Sequence, residues 1–140
     1  MIAARWEHFH HGADIGVRGL GPTKEAAFEQ SALALTAVIV DPAEVKAGHE
    51  VSVNCDAPDD ELLLTDWLNA IVFEMATRKM LFGRFKVELV DHRLQGWMSG
   101  EPVDILRHQP AVEVKGATFT ELLVRQDQQG GWVAQCVVDV

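Results

Sequence analysis

The sequence predicts an α+β fold in which two helices pack on a largely antiparallel sheet, forming one domain over residues 1–140. Two segments carry apolar residues at helical spacing, and several others alternate apolar and polar residues as half-buried strands do. Turns containing Gly or Pro separate these segments. A chain of 140 residues with 48% hydrophobic residues has the size and the apolar content of a single globular domain.

The amino-terminal part is predicted to form two short strands and a helix. The strands cover residues 5–10 and 15–18 and flank a tight segment, His11-Gly12-Ala13-Asp14. Thr23 suits the N-cap of a helix over about residues 24–40, because its hydroxyl can accept a hydrogen bond from the first turn. One face of this helix carries the apolar residues expected in the core: Phe28, Ala32, Leu35 and Ile39.

A third strand and a second helix are predicted next. Residues 49–55 alternate apolar and polar side chains, which indicates a half-buried strand. Asp56 is predicted to cap the second helix and Gly83 to end it. Arg78 and Lys79 complement the negative end of the helix dipole. The buried stripe of this helix is predicted to comprise Leu64, Leu68, Ile71 and Met75, with Leu63 and Trp67 beside it.

The remainder of the chain is predicted to be strands. Residues 85–89 alternate strictly, and residues 93–99 follow after a short turn. Residues 112–124 are rich in Val, Thr and Phe and are predicted to form one long strand. Gln129-Gly130-Gly131 is predicted to be a hairpin turn that leads into a final strand over residues 132–140.

The charge of the chain restricts its partners. Twelve basic and twenty-one acidic side chains give a net charge of −9. Such a surface repels phosphate backbones, so strong direct binding of nucleic acid is not expected. The charge suits a cation or a basic surface on another protein, and any link to RNA is expected to run through a partner.

The chain is expected to be a soluble cytoplasmic protein without membrane association. No apolar run approaches the ~20 residues that a membrane helix needs. The amino terminus lacks the apolar region of a secretory signal. In a reducing compartment, Cys55 and Cys136 are expected to be small buried hydrophobic residues, not a disulfide or zinc ligands.

Carboxylates near the two ends of the chain are candidate metal ligands. Asp14 follows a Gly-Ala pair that leaves room for an approaching group, and both a structural Asx turn and a functional role fit it. Asp139 lies one residue from the end of a continuously apolar strand, which should hold it in place. Hard oxygens from Asp14, Asp139 and the end of Val140 would suit Ca²⁺ or Mg²⁺.

The nearby histidines and one lysine are weaker candidates. His8 and His10 share one face of the predicted strand and His11 points to the other, so the three cannot converge on one ion. Exposed polar residues on a strand are the simplest interpretation of His8 and His10. Lys115 most simply points to water, and it bears on the site only if its face also carries Asp14 and Asp139.

Motifs of self-contained nucleotide enzymes and zinc enzymes are missing from the sequence. There is no Walker A loop, no G-x-G-x-x-G, no G-x-S-x-G, no C-x-x-C and no H-E-x-x-H. The predicted metal site therefore stands without the rest of a recognisable catalytic apparatus.

These landmarks occur in the order found in the archease family, which the sequence resembles over nearly its whole length. The resemblance is carried by the opening WEHFHHGADIGVRGLGPTKEAAFEQSALAL and by the helix LLLTDWLNAIVFE. It continues in GEPVDILRHQPAVEVKGATF, which is similar to the family's Gly-Glu…Val-Lys-Ala-x-Thr region, and in the terminal VVDV.

The resemblance implies a small α+β accessory protein that is not itself an enzyme. Archeases activate the GTP-dependent tRNA-splicing RNA ligase by promoting its guanylylation and its multiple turnover. The resemblance further implies a divalent cation, commonly Ca²⁺ with Mg²⁺ and Mn²⁺ as alternatives, held by Asp14, Asp139 and Val140. It gives Lys115 a role in activation, and it implies contact with RNA only through the ligase.

Four positions depart from the family pattern. Gly12 replaces the usual Thr, His10 replaces an acidic residue, Gly116 replaces Ala, and Thr120 stands where His is frequent. Loss of the Thr hydroxyl is expected to loosen the site, and loss of a negative charge at His10 is expected to weaken metal affinity. None of the departures falls on a proposed ligand.

Two other functions remain open at this point. In the first, the protein is a chaperone-like modulator in which the cation is purely structural. In the second, it is a stand-alone metal-dependent hydrolase, with a histidine or Lys115 as the base. A metal-free protein that still activates the ligase would indicate the first, and turnover by the purified protein alone would indicate the second.

Overall fold

Two antiparallel sheets and two long helices make up the fold in the computed structural model, which describes residues 3–140. The first sheet has the strand order β1 (Arg5–His11), β2 (Asp14–Gly21), β8 (Trp132–Asp139) and β6 (Gly116–Ala117), with β7 (Leu123–Gln126) also paired to β8. The second sheet has the order β3 (His49–Asp56), β5 (Arg93–Pro102) and β4 (Met80–Val90). The helices are α1 (Lys24–Ile39), α2 (Asp60–Arg78) and the short α3 (Ile105–His108), and a 3₁₀ turn covers Pro42–Glu44. The predicted α+β class is confirmed, although the strands form two sheets where one was expected.

Helix α1 forms where the sequence predicts it. The Thr23 hydroxyl accepts a hydrogen bond from the amide of Ala26 at 3.0 Å, which confirms the predicted N-cap. The helix ends at Ile39, and its predicted apolar stripe is buried. It packs across β2 and β8 of the first sheet and against β4 of the second, so it joins the two sheets.

Helix α2 begins later than predicted. Asp59 caps it by accepting a hydrogen bond from the amide of Leu62 at 2.8 Å. The predicted cap, Asp56, is instead the last residue of β3, where it pairs with Arg93 of β5. The acidic run contains several residues that could cap a helix, and the length of β3 decides which of them does.

The same helix also ends earlier than predicted. Lys79 adopts a left-handed backbone (φ 55°), and its amide closes the last turn on the carbonyl of Met75. The predicted stop, Gly83, lies inside β4 at a bulge between Phe82 and Arg84. Glycine is required there because a Cβ at position 83 would lie 2.6 Å from the carbonyl oxygen of Pro42. Close approach of the 3₁₀ turn, and not helix termination, therefore explains this glycine.

The core is continuous between both sheets and both long helices. Trp67 of α2 is fully buried, and its indole N–H donates to the carbonyl of Phe28 in α1 at 3.2 Å. Its ring meets Phe85 of β4 edge to face, with centroids 6.0 Å apart. The predicted buried stripe of α2 is confirmed, and it faces strands of both sheets.

The predicted long strand over residues 112–124 is wrong. Residues 111–115 have no regular secondary structure, β6 has only two residues, and β7 begins at Leu123. The alternation arose because Val114 is buried while Glu113 and Lys115 are exposed, which needs no strand partner. A left-handed residue, Glu121 (φ 55°), then interrupts the segment.

The two cysteines form no disulfide with each other. Cys55 and Cys136 are both free thiols, and burial raises the pKa of Cys136 to about 12 and that of Cys55 to about 11. Cys136 is fully buried and Cys55 is half-buried. Within residues 3–140, no helix combines the length and the apolar character that a membrane crossing requires.

A polar cluster around Glu101 holds the segment that follows β5. The Glu101 carboxylate accepts hydrogen bonds from the amide of Lys46 at 2.6 Å, from Arg107 and from His108 Nε2 at 3.0 Å. His108 is buried, and its Nδ1 accepts from the amide of Asp104 at 2.9 Å, so Nε2 carries the proton. The hydrogen bonds, that from Arg107 foremost, lower the pKa of Glu101 to about 2.

We expect Glu101→Gln to lower the free energy of unfolding most at neutral pH. The carboxyl has a pKa of about 2 when folded against an ordinary 4.5, so its ionised form stabilises the fold above pH 4.5. That contribution is lost as the pH falls toward 2, so the difference between variant and wild type should shrink there. Urea unfolding measured across this pH range tests the expectation.

Glu113→Gln is the matched control, because Glu113 is exposed and forms no ion pair within residues 3–140. Its stability should follow wild type at every pH. Equal losses for the two variants would contradict the role given to Glu101.

Candidate metal centre

Strand pairing brings the end of the chain to the first hairpin. In the β1–β2 hairpin His11 is opposite Asp14, and in the β2–β8 pair Ile15 is opposite Val138. In the antiparallel β2–β8 pair, the residue before Ile15 lies beside the residue after Val138, so Asp14 lies beside Asp139. Paired residues of neighbouring strands point to the same face of a sheet, so these two carboxylates share a face.

A hydrogen bond fixes the last residue beside Asp14. The amide of Val140 donates to Asp14 Oδ1 at 3.3 Å, across 126 residues of sequence. Asp14 and Val140 are half-buried, whereas Asp139 is exposed. The structure therefore places all three predicted ligands at one edge of the first sheet.

Within residues 3–140, the negative charges at this edge have no cationic partner. No Lys, Arg or His pairs with Asp14, Asp139 or the terminal carboxylate among the ion pairs of residues 3–140. Arg18, farther along the same face, is already bound to Glu7 at 2.6 Å and to Gln135 at 2.7 Å. Hydrogen bonds from Arg18 and then Arg5 lower the pKa of Glu7, so the positive charge of Arg18 is already paired with the Glu7 carboxylate. The carboxylates near Val140 are thus left to repel one another.

Lys115 lies next to the tail strand but is not paired with its carboxylates. Its amide donates to the carbonyl of Asp139 at 2.9 Å, so its backbone continues the pairing of β6 with β8. Its side chain is exposed and forms no ion pair within the described part of the chain. The structure brings Lys115 to the edge of the site with its ammonium free for another group.

The histidines do not join the carboxylates as a group. His8 lies opposite Val17 and His10 opposite Ile15, on the face of the hairpin that does not carry Asp14. His8 Nε2 donates to the carbonyl of Ala34 in α1 at 2.7 Å, and His10 is exposed. His11, opposite Asp14, shares the face of the carboxylates. The separation of His11 from His8 and His10 that the sequence predicted is confirmed.

The turn before Asp14 is built on Gly12. Gly12 has φ +60° and Ala13 does not have a positive φ, the pattern of a two-residue type II′ hairpin turn. A Cβ at position 12 would meet nothing within 4 Å, so only the backbone conformation favours glycine there. The turn orients Asp14 without a hydroxyl at position 12.

Asn69 of α2 holds strand β6 beside the end of β8, a role that the sequence did not predict. Its Oδ1 accepts from the amide of Ala117 at 2.8 Å and its Nδ2 donates to the carbonyl of the same residue at 3.5 Å. These bonds anchor β6, and with it Lys115, beside the tail. Asn69 is exposed, so nothing in the sequence distinguishes it from the other polar residues on the outer face of α2.

The donor set suits a hard divalent cation. No group of three or more His, Cys, Asp or Glu side chains within residues 3–140 is arranged to hold a metal ion. The candidate centre has two carboxylate side chains, so it depends on the carboxylate of Val140 as a third charged group. Oxygen ligands of this kind fit Ca²⁺, which binds about six to eight oxygens and completes its shell with water.

Comparisons with known proteins give one consistent family. The sequence pattern of the Archease protein family matches residues 6–140. Proteins named Protein archease from Pyrococcus furiosus and Thermococcus gammatolerans are 36% and 37% identical to this chain, and each alignment covers 97% of it and 99% of the relative.

A solved structure gives the same result at the level of the fold. The solution structure of Methanobacterium thermoautotrophicum protein 1598 matches with a TM-score of 0.84 and 33% sequence identity. The match covers 96% of this chain and 98% of that one. Sequence and fold therefore agree over nearly the same residues.

We expect Gly12→Ala to destabilise the protein by about 1 kcal/mol, because a left-handed backbone costs a residue with a Cβ roughly that much. No steric contact contributes, since the space around position 12 is open. Urea unfolding measures the change. Gly48→Ala is the control: its added Cβ would be 3.8 Å from the carbonyl oxygen of Gly100 and its φ is not positive, so the free energy of unfolding should stay close to wild type.

Proposed function

The chain belongs to the archease family, and we propose that it is a metal-binding accessory protein that activates a GTP-dependent tRNA-splicing RNA ligase. It acts by promoting guanylylation of the ligase and its multiple turnover, and it is not itself an enzyme. The comparisons confirm the resemblance to the family that the sequence motifs indicate. The activation of a ligase by this chain is our proposal. The observation that carries it is the meeting of Asp14 with Asp139 and Val140.

We assign the cation to Asp14, Asp139 and the terminal carboxylate of Val140, with Ca²⁺ as the preferred ion and Mg²⁺ or Mn²⁺ as alternatives. The unpaired negative charges at this edge favour that assignment, because a cation would relieve their repulsion. When bound, a divalent cation supplies a compact positive charge that attracts phosphate oxygens. The half-buried Asp14 holds the amide of Val140, which keeps the tail in position to bind.

Lys115 supplies a second positive charge at the same edge. Its backbone is anchored on the carbonyl of Asp139 while its ammonium stays free. A free ammonium at a fixed edge can bind a phosphate oxygen of the nucleotide or a carboxylate of the partner. We propose that this group acts in activation and that the metal ligands do not depend on it.

The partner is the ligase, and RNA is met only through it. A net charge of −9 disfavours a long phosphate backbone on this protein alone. The chemistry of joining stays with the ligase, and the accessory protein contributes binding and electrostatics. We place both proteins in the cytoplasm.

We expect Asp14→Ala and Asp139→Ala to reduce guanylylation of the ligase to the rate seen without the accessory protein. Transfer of label from GTP to the host's own ligase measures it, and the same assay with RNA ends measures turnover. Lys115→Ala should also reduce activation but should leave Ca²⁺ affinity unchanged. That difference would separate a role in activation from a role in metal binding.

Asp66→Ala and Lys46→Ala are the matched controls. Asp66 and Lys46 are exposed, and no ion pair involves either of them within residues 3–140. Both variants should activate as wild type does. Equal activation by Asp14→Ala and Asp66→Ala would rule out the proposed site, and full activation by metal-free protein would make the cation purely structural.

Extension of the chain past Val140 tests the terminal carboxylate separately. Added residues convert that carboxylate into a peptide carbonyl, so Ca²⁺ affinity should fall by about tenfold or more. Calorimetric titration of Ca²⁺ into the extended protein measures the loss. A tag of the same length at the amino terminus should leave the affinity unchanged, and an equal effect of the two tags would exclude the carboxylate as a ligand.

A further inference from the structure

The outer face of the second sheet carries an open pocket of about 280 Å³, away from the carboxylates of the first sheet. Two rows of paired residues form it. In one row Trp97 of β5 lies between Lys86 of β4 and Ser52 of β3. In the next row Ser99 lies between Arg84 and Glu50.

Trp97 lies outside the buried core of the second sheet. The core side of β5 is supplied by Leu94 and Met98, which are almost fully buried. Trp97 points to the opposite, polar face and is only partly buried. Lys86 Nζ stands 5.4 Å from the centre of its ring, so a positive charge already lies at the aromatic surface.

Arg84 is aimed at the same pocket by an irregularity in β4. The bulge between Phe82 and Arg84 contains Gly83, whose lack of a side chain permits close approach of the 3₁₀ turn. Bulges of this kind redirect the side chains that follow them. Neither Arg84 nor Glu50 takes part in an ion pair within residues 3–140, so both charges are available. Lys86 Nζ lies 4.0 Å from Glu88 of the same strand, and because both side chains are exposed this ion pair is weak enough for a phosphate to replace it.

We propose that this pocket binds a nucleotide whose base carries an amino group. An aromatic ring beside two basic side chains matches a planar base joined to a phosphate, because the base stacks while the phosphate binds the cations. Only one nucleotide is bound, so the site is compatible with a net charge of −9 on the whole chain.

The order of charges across the sheet fixes the direction of the nucleotide. Arg84 and Lys86 lie on β4, so the phosphate lies on that side. Glu50 lies on β3, across Ser99 from Arg84 and diagonal to Trp97, where a phosphate would be repelled. A carboxylate accepts hydrogen bonds only, so Glu50 faces the amino group of the base.

Calorimetric titration of the full-length protein with CMP and UMP tests the proposal. The two ligands have the same phosphate, sugar and ring size, but UMP presents a carbonyl oxygen where CMP has an amino group. CMP should bind about tenfold more tightly, since the UMP carbonyl would face the Glu50 carboxylate. Glu50→Gln should remove most of that difference, because an amide can also donate.

Variants of the pocket separate stacking from charge. Trp97→Leu should weaken CMP binding by about tenfold, whereas Trp97→Phe, which keeps a ring, should weaken it less. Arg84→Ala should weaken it similarly, and Arg93→Ala should not, since Arg93 lies on the same face two rows beyond Trp97. If Trp97→Leu fails to fold, the Arg84 and Arg93 pair still tests the site, because both side chains are exposed.

Three results would overturn the proposal: equal binding of CMP and UMP, equal binding of CMP and ribose 5-phosphate, or no saturable binding at about 1 mM CMP. A short oligocytidylate identifies the source of the nucleotide. Equal binding of the oligomer and CMP supports a site for a free mononucleotide. Tighter binding of the oligomer would mean direct contact with single-stranded RNA and would contradict a site for one nucleotide.

Discussion

The antiparallel pairing of β8 with β2 determines where the end of the chain lies. Strand β8 is central in its sheet, with β2 on one side and β6 and β7 on the other, and Cys136, Val137 and Val138 are almost entirely buried. Releasing such a strand would expose apolar surface and break backbone hydrogen bonds on both of its sides. A terminus that would fray on an edge strand is thereby fixed beside Asp14.

The irregular segment after β5 depends on that same strand. Its backbone is tied to α1 through the amide of Ala111 and the carbonyl of Ile39 at 2.8 Å, to α2 through Asn69, and to β8 through Lys115. The Glu101 cluster holds its beginning. These backbone contacts fix the position of Lys115 in a segment with little regular structure. The exposed side chain of Lys115 forms no ion pair within residues 3–140 that would fix it.

Charge is distributed unevenly over an acidic protein. Glu7 and Glu101 are neutralised by arginines, whereas the carboxylates beside Val140 have no such partner within residues 3–140. On the other sheet, Arg84 and Lys86 lie on the β4 side of Trp97, while Glu50 lies on β3 and Glu88 pairs with Lys86. The ligands that we propose for the two regions, a cation at one sheet and a nucleotide at the other, depend on these local arrangements and do not follow from the net charge of −9.

The sequence by itself determined the α+β class, the Thr23 cap and the buried stripes of both long helices, because these features follow from the local pattern of apolar and polar residues. It also determined the family, because the motifs occur in the family's order. It identified Asp14 and Asp139 as candidates but could not bring them together, since they are joined by strand pairing between residues more than a hundred positions apart. The tertiary structure also decided that Asp59 and not Asp56 caps α2, that residues 112–124 are mostly irregular, and that Trp97 and Arg84 share a pocket. Alternation shows which side chains share a face, but it carries no information about which strand lies alongside, and that choice is made by the packing of the whole core.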